Sequence, residues 1–353
     1  MLPFRNMVLR RSATLGLVAL SMAFAGCKRV EEPASDEQRA APTTTAPPTA
    51  TATTPTAPLT LTAPAQLFTL PSSAYQAALF ADDEAIEVLT SSAAYRLSPD
   101  KEPLARTLDL GFAAAVTRKN YVYWSKGALW SEPRRAPSPS GPIKLGALAE
   151  QPQRIVADMG ADQFAFLTHA GDNRDVIAKL QDRRPKTLYT SPGSIDALTM
   201  IGDALYFVER PGGPGFRIAR LKLKGGPATF TSTKSGRWPS LLRGTKDLVY
   251  YDGARRSVLS LSPDLAQETV LAKDFICSPL AVATNVYCST MEGIFELSAT
   301  EQPRQVVPAS RQLITNVAAT SQRLVFITDA GGQGQDQLAV YGVPLGKPSQ
   351  PAP

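Results

Sequence analysis

The sequence predicts an all-β protein, a β-propeller of seven four-stranded blades closed by an N-terminal strand in the last blade. Three observations carry this. Runs of aromatic and β-branched residues alternate with clusters of Gly, Pro, Asn and Asp, the pattern of strands joined by hairpins. The runs recur as seven copies spaced from the mid-thirties to the mid-forties of residues, the span of a four-stranded blade. Outermost strands fall one short at the C-terminal end, and a spare run lies before the first copy. Six blades stay open at this point, because the first copy is the faintest.

The chain of 353 residues opens on a leader. Arg5, Arg10 and Arg11 form a positive start, followed by an apolar stretch from Ala13 to Ala25 that is short for a membrane span. It ends Phe24-Ala25-Gly26-Cys27, which resembles the lipobox of bacterial lipoproteins, with Phe24 in place of the usual Leu. The resemblance implies that residues 1–26 are a cleaved signal peptide and that Cys27 is lipidated. Several acyl chains anchor a protein stably where one does not. Lys28 after the cysteine implies, by similarity to enterobacterial sorting, the outer membrane, facing periplasm or cell surface.

Residues 27–65 read as a tether. Lys28 to Arg39 is of mixed charge, and Ala40 to Pro64 is almost wholly Thr, Ala and Pro. Such a segment has too few apolar side chains to offset the entropy of ordering its backbone. At roughly 3.1 Å per residue in polyproline geometry it reaches on the order of 100 Å.

Residues 66–345 carry the repeat. The clearest copy runs from Ile195 to Gly226, with a Gly202-Asp203 turn before Ala204-Leu205-Tyr206-Phe207-Val208 and a Gly/Pro turn before Ile218 to Leu223. Its second strand aligns with Ile86 to Leu89, Tyr121 to Trp124, Phe164 to Phe166, Val249 to Tyr251, Val286 to Cys288 and Leu324 to Phe326. Third strands follow at Ala94 to Leu97, Ala128 to Trp130, Val176 to Leu180, Ile218 to Leu221, Val258 to Leu261, Ile294 to Leu297 and Leu338 to Tyr341. Two copies share the text Leu-Ser-Pro-Asp, at Leu97 to Asp100 and Leu261 to Asp264. Outer strands are expected at Arg106 to Leu110, Ile143 to Leu148, Lys186 to Thr190, Ala228 to Ser232, Glu268 to Ala272 and Arg304 to Val307. The seventh is Gln66 to Leu70, because pairing the chain's start with its final blade hides the strand edges. Residues 346–353 form a Pro-rich tail.

The segments Tyr123-Trp124-Ser125-Lys126, Tyr206-Phe207-Val208-Glu209 and Tyr250-Tyr251-Asp252 resemble degenerate YWTD, NHL or TolB-type propeller repeats, as does the blade ending Arg220 to Gly226. The resemblance spans the repeat region and implies architecture rather than a reaction. Its acidic position is kept loosely, at Glu209.

Chemistry-bearing residues are sparse. The one histidine, His169, stands near Asp172 and Asp175, either as a base or metal ligand or in a polar hairpin turn. A histidine-based zinc site lacks partners, and Ser-His-Asp chemistry has this single candidate. Cys277 and Cys288 remain once Cys27 is acylated, either bridged across a hairpin in an oxidising compartment or as separate buried thiols. Carboxylates cluster at Asp82-Asp83-Glu84 and near Asp329 and Asp336, where Gly331 to Asp336 supplies too few oxygens for a calcium loop. Trp124, Trp130 and Trp238 could stack on glycans or fill blade cores. No catalytic residue, metal or cofactor is assigned.

The charge balance bears on partners. The formal +6 includes the three leader arginines; without them about 34 basic groups face 31 acidic ones. That balance gives little support to a nucleic-acid or an anionic-membrane surface, and with no basic run interleaved with aromatics no nucleic-acid partner is expected. The expectation is a membrane-anchored envelope protein that binds or scaffolds a protein partner or a glycan without catalysis. A hydrolase or lyase with a metal-dependent site in the channel is the alternative.

Overall fold

The computed structural model describes residues 63–345 apart from 73–76, 83–84, 99–102, 109, 111–112, 171–173, 213–214, 233, 236–239, 244–246, 278–279, 284, 311 and 331–336. Cys27, Asp83, Glu84, Asp172, Trp238 and Asp336 therefore lie outside the described residues. Seven antiparallel sheets follow one another along the chain. The expected seven-bladed architecture is what the chain adopts, and the alternative of six is excluded by a complete four-stranded first sheet, from Ala78–Ala81 to Leu104–Thr107.

Local chemistry sets the strand ends. Asn120–Ser125 and Ala128–Pro133 are joined by Lys126-Gly127, both in left-handed backbone (φ 48° and 77°). Two such residues make the tight turn whose twist matches the flanking strands. Within each blade the first strand is innermost. First strands of successive blades lie side by side from blade 2 round to blade 1. Turns between the first and second, and the third and fourth, strands share one face, called lower here. Turns between second and third strands, with the connections between blades, share the upper face.

Packing explains the sequence pattern. Seven apolar cores exist, each between consecutive blades and the last between blades 7 and 1. In Ala204–Arg210 every residue but the last is buried. Leu205 and Phe207 face blade 3, while Ala204, Tyr206 and Val208 face blade 5. A strand buried on both faces reads as a continuous apolar run, which is why the second strands are so legible.

The closing strand is Ala65–Leu70, which pairs antiparallel with Leu338–Pro344; Phe68 sits opposite Val340 and Gln66 opposite Tyr341. Leu70 is buried among Val340, Leu338 and Ile327 of blade 7 and Ile86 and Val88 of blade 1. Three expected outer strands differ in extent by two residues or more at an end. That of blade 4 shrinks to Thr229–Phe230, with Lys234–Ser235 pairing farther along the third strand. Those of blades 1 and 3 start earlier, at Leu104 and Arg184, and that of blade 1 also ends earlier, at Thr107.

Truncating a buried leucine leaves a cavity, so Leu70→Ala is expected to cost about 2–4 kcal/mol. Gln66→Ala, on the exposed end of the same strand, is expected to stay within about 0.5 kcal/mol. Urea midpoints of the two variants make the comparison, and equal midpoints would contradict the closing role.

Candidate functional site

On the upper face, blades 3 and 4 frame an open polar depression of about 510 Å³ lined by Gln153, His169, Arg174, Asp175, Ser194 and Asp196, among others. His169 ends the second strand of blade 3, Phe164–His169, and Asp175 opens the third, Asp175–Gln181, directly opposite it in the ladder. The structure thus brings these two candidates together. Asp175 is buried; its Oδ2 accepts from the Ile195 backbone N–H (2.6 Å), and its Oδ1 accepts from Gln153 (2.8 Å). The His169 Nδ1 lies 3.0 Å from the same oxygen, and its Nε2 lies 2.8 Å from Gln153 Nε2.

Half of the His169 side chain is exposed (50%), yet both ring nitrogens are engaged. Among the described residues its hydrogen-bond partners are Gln153 and Asp175, neither of them a hydroxyl or thiol nucleophile. The arrangement orients a loop junction. At its edge Asp196 pairs with Arg210 and accepts from Ser194 (3.3 Å).

Glu209, the loosely kept acidic position, ends the second strand of blade 4 and is wholly buried. Its Oε1 accepts from the Tyr189 hydroxyl and from Ser191 (both 2.6 Å), and its Oε2 accepts from Arg217 Nε (2.7 Å). Tyr189 and Ser191 follow from blade 3, so one carboxylate ties two blades. Burial, then the hydrogen bond to Glu209, raises the Tyr189 phenol far above its usual value. Arg217 also stacks on Phe230, its guanidinium carbon 3.8 Å from the ring centroid.

A second buried cluster, on the lower face between blades 1 and 2, escaped sequence reasoning. Glu87 Oε1 accepts from Arg134 Nε (3.0 Å) and Arg96 (2.9 Å), and its Oε2 accepts from the Tyr121 hydroxyl (2.5 Å). Arg134 also reaches Asp82 (2.9 Å) and the Thr117 and Arg118 carbonyls. Burial pushes the Glu87 pKa up; Tyr121 and the two arginines pull against it. The available signal was a charge inside the apolar run Ile86 to Leu89, since a buried charge must be paired. Its partners stand far off in sequence. Neither Glu87 nor Arg134 is open to a ligand.

Elsewhere the candidates are structural. Trp124 and Trp130 are half-buried and donate their indole N–H groups to the Leu148 and Ser125 carbonyls (2.9 and 3.0 Å). Asp329 closes a strand opposite Leu338. Among the described residues no group of three or more His, Cys, Asp or Glu could hold a metal ion. Cys277 and Cys288 are joined by a disulfide (S–S 2.06 Å, Cα–Cα 5.5 Å). Cys277 is not on the strand adjacent to Cys288, as the hairpin expectation had it. It precedes Leu280–Val282, in the connection that enters blade 6 on the upper face. Neighbouring loops there expose Ile276 (63%), Met291 (95%) and Leu313 (62%).

No family model matches the sequence, and no curated protein matches it. Solved structures do. A chain of a nidogen/laminin complex is 14% identical over 63% of this chain and 88% of that chain, with a TM-score of 0.43. A chain from an S. cerevisiae assembly of dbp5 with nup159 and gle1 is 11% identical over 80% and 94%, TM-score 0.47. Pyrococcus horikoshii acylaminoacyl peptidase is 9% identical over 76% of this chain and 51% of that chain, TM-score 0.56. At 9% identity this last likeness is one of fold alone.

Two outcomes follow from the buried carboxylates. Glu209→Ala leaves Arg217, Tyr189 and Ser191 facing a void and is expected to cost about 3–5 kcal/mol in urea unfolding; a loss under 1 kcal/mol would contradict the tie. Glu268, in the outer strand of blade 5, has its pKa lowered from 4.5: burial opposes this, but hydrogen bonds from Lys234, Tyr250 and Arg255 outweigh it. The unfolded chain then binds the proton more readily, so this stabilisation is complete above pH 4.5 and fades as pH falls through the lower folded value. Glu268→Gln should lower neutral-pH stability by about 1 kcal/mol and flatten the acid limb. An unchanged acid limb would refute the assignment.

Proposed function

We propose that the protein is a cell-envelope lipoprotein, anchored through Cys27, whose propeller offers its upper face as a non-catalytic docking platform for a protein partner. The observation that carries the docking role is the trio Ile276, Met291 and Leu313, three large apolar side chains exposed on adjoining loops of blades 6 and 7. Exposed apolar clusters mark interaction surfaces, whereas single exposed apolar residues need no explanation. The Cys277–Cys288 bridge holds the loop that carries Ile276, and a disulfide suits an oxidising envelope compartment.

The alternatives have less behind them. His169 and Asp175 are committed to ordering a loop junction, so this pair lends a hydrolytic reading no support. The two described tryptophans pack into blade cores and use their N–H groups internally, which removes their support for glycan stacking. The anchor reading rests on the leader, Arg5 to Cys27, and on the Thr/Ala/Pro tether behind it. Lys28 after the cysteine supports an outer-membrane location, by resemblance to enterobacterial sorting.

Two measurements test this. In a bacterial host, radiolabelled palmitate should enter the parent protein, which should sediment with membranes, while Cys27→Ala should be unlabelled and keep its leader. Unlabelled parent protein would defeat the anchor. Photo-crosslinkers at Met291 and Leu313 should each give the same discrete protein adduct, lost on Ile276→Asp, and a crosslinker at Ile143 on the outer rim should not. Diffuse labelling at all three positions would defeat the platform.

A further inference from the structure

Six exposed cations stand in blades 2 to 4 of the folded part. In blade 3 the third and fourth strands meet at Asp182-Arg183, both in left-handed backbone (φ 50° and 62°), and the fourth strand begins Arg184-Pro185-Lys186. Arg183, Arg184 and Lys186 are exposed. This turn rests against blade 2: a Cβ on Gly146 would stand 2.5 Å from the Arg183 carbonyl oxygen. Gly146 belongs to Ile143–Ala147, the outer strand of blade 2, whose exposed Lys144 joins the same rim. Blade 4 continues the sector with exposed Lys222 and Lys224 at its own third-to-fourth connection. Among the described residues, none of these six cations has a hydrogen-bond or ion-pair partner. The acids nearby are fewer. Asp182, Asp203 and Asp264 are exposed, Asp162 is paired with Lys119 (3.3 Å), and Asp158 is buried on the Gly160 and Gly202 amides.

Chain direction supplies the second observation. Ala65 opens the closing strand opposite Gly342, and Pro344 ends its partner, so the chain enters and leaves the propeller on the lower face. The third-to-fourth turns bearing the basic sector lie on that same face. The tether expected before the propeller, with a reach on the order of 100 Å, would not by itself orient what it carries. A patch of unpaired cations on the tethered side does so when it meets negative lipid, because each is attracted to the surface within a Debye length.

We infer that the lower-face sector of blades 2 to 4 docks on anionic phospholipid headgroups of the bilayer that holds the anchor. The inference builds on the lipid-anchor reading and adds an orientation, with the upper face and its apolar trio turned away from the bilayer. Acyl anchoring and a polybasic patch are the two signals that together hold a protein at a membrane. The small net charge of the mature chain hides the patch, because acids elsewhere in the ring cancel it in the sum.

The chain from Lys28 to Pro353, produced without its leader, isolates the sector, since it carries neither acyl chains nor the apolar stretch Ala13 to Ala25. It should co-sediment with vesicles of three parts phosphatidylethanolamine to one part phosphatidylglycerol at low salt, and not with phosphatidylcholine vesicles. Binding should weaken steeply as salt rises, a readout that needs no substitution. Adding Lys144→Glu, Arg184→Glu and Lys186→Glu should reduce partitioning on the order of a hundredfold. Lys273→Glu, on the upper face, should leave it unchanged. Equal binding to phosphatidylcholine, indifference to salt, or indifference of the folded triple variant would each overturn the inference. Retention on heparin without vesicle binding would overturn it too, and assign the sector to another polyanion. Any of these failures leaves palmitate labelling at Cys27 intact, so failure of the anchor is read separately.

Discussion

Every blade of this propeller is apolar on both faces, and that single constraint organises the molecule. A four-stranded sheet such as blade 4 buries Leu205 and Phe207 against one neighbour and Tyr206 and Val208 against the other. It cannot satisfy both sides alone. Each blade is therefore stable only inside a row, and a row leaves two apolar ends unless it closes. The ring closes because the chain's first strand completes its last blade, which brings Leu70 and Val340 against Ile86 and Val88. Closure stabilises the interface and also protects the edge of Leu338–Pro344 from pairing with another chain.

Polar groups inside the blade interfaces add specificity to this apolar ring. Glu87 with Arg134 between blades 1 and 2, and Glu209 with Tyr189 and Ser191 between blades 3 and 4, are buried carboxylates whose partners come from the adjoining blade. Removing a partner would strand a charge in a low-dielectric interior, so each such group favours one alignment of neighbouring blades over a slipped one. The Glu268 cluster does similar work nearer the surface, linking Lys234 of blade 4 to Tyr250 of blade 5. Chemistry that looks catalytic in isolation is thus consumed by assembly. What the ring leaves over for binding is peripheral: upper-face loops with exposed apolar side chains and a lower-face sector of unpaired cations.

How much of this was legible depended on the range of the signal. Second strands such as Ile86–Leu89 and Val286–Thr290 were readable because burial on both faces gives an unbroken β-branched and aromatic run. The pairing of Gln66 to Leu70 with the last blade followed from counting outer strands, with no pairwise signal needed. The short outer strand of blade 4 was overestimated, because at Thr231 the side chain, besides the backbone, bonds to Ile218 and the ladder breaks. Glu87 and Arg134 were opaque, since nothing local in Ile86 to Leu89 says which distant cation meets the acid. His169 and Asp175 were picked out together, but the role of Gln153 and of the Ile195 amide depended on how one blade abuts the next. The lower-face basic sector was hidden for the same reason: Lys144, Arg184 and Lys224 converge only after three blades are stacked.

Ring closure can be probed by covalent capture. Thr69 and Ala339 are opposite each other in the closing ladder. Thr69→Cys with Ala339→Cys in the Cys27→Ala protein should form an intramolecular disulfide on mild oxidation, migrate as a compact monomer, and raise the thermal midpoint above that of the reduced form. Failure to crosslink, or crosslinking that yields dimers at every protein concentration, would mean that the first strand does not complete the seventh blade and would contradict the closed ring on which the account rests.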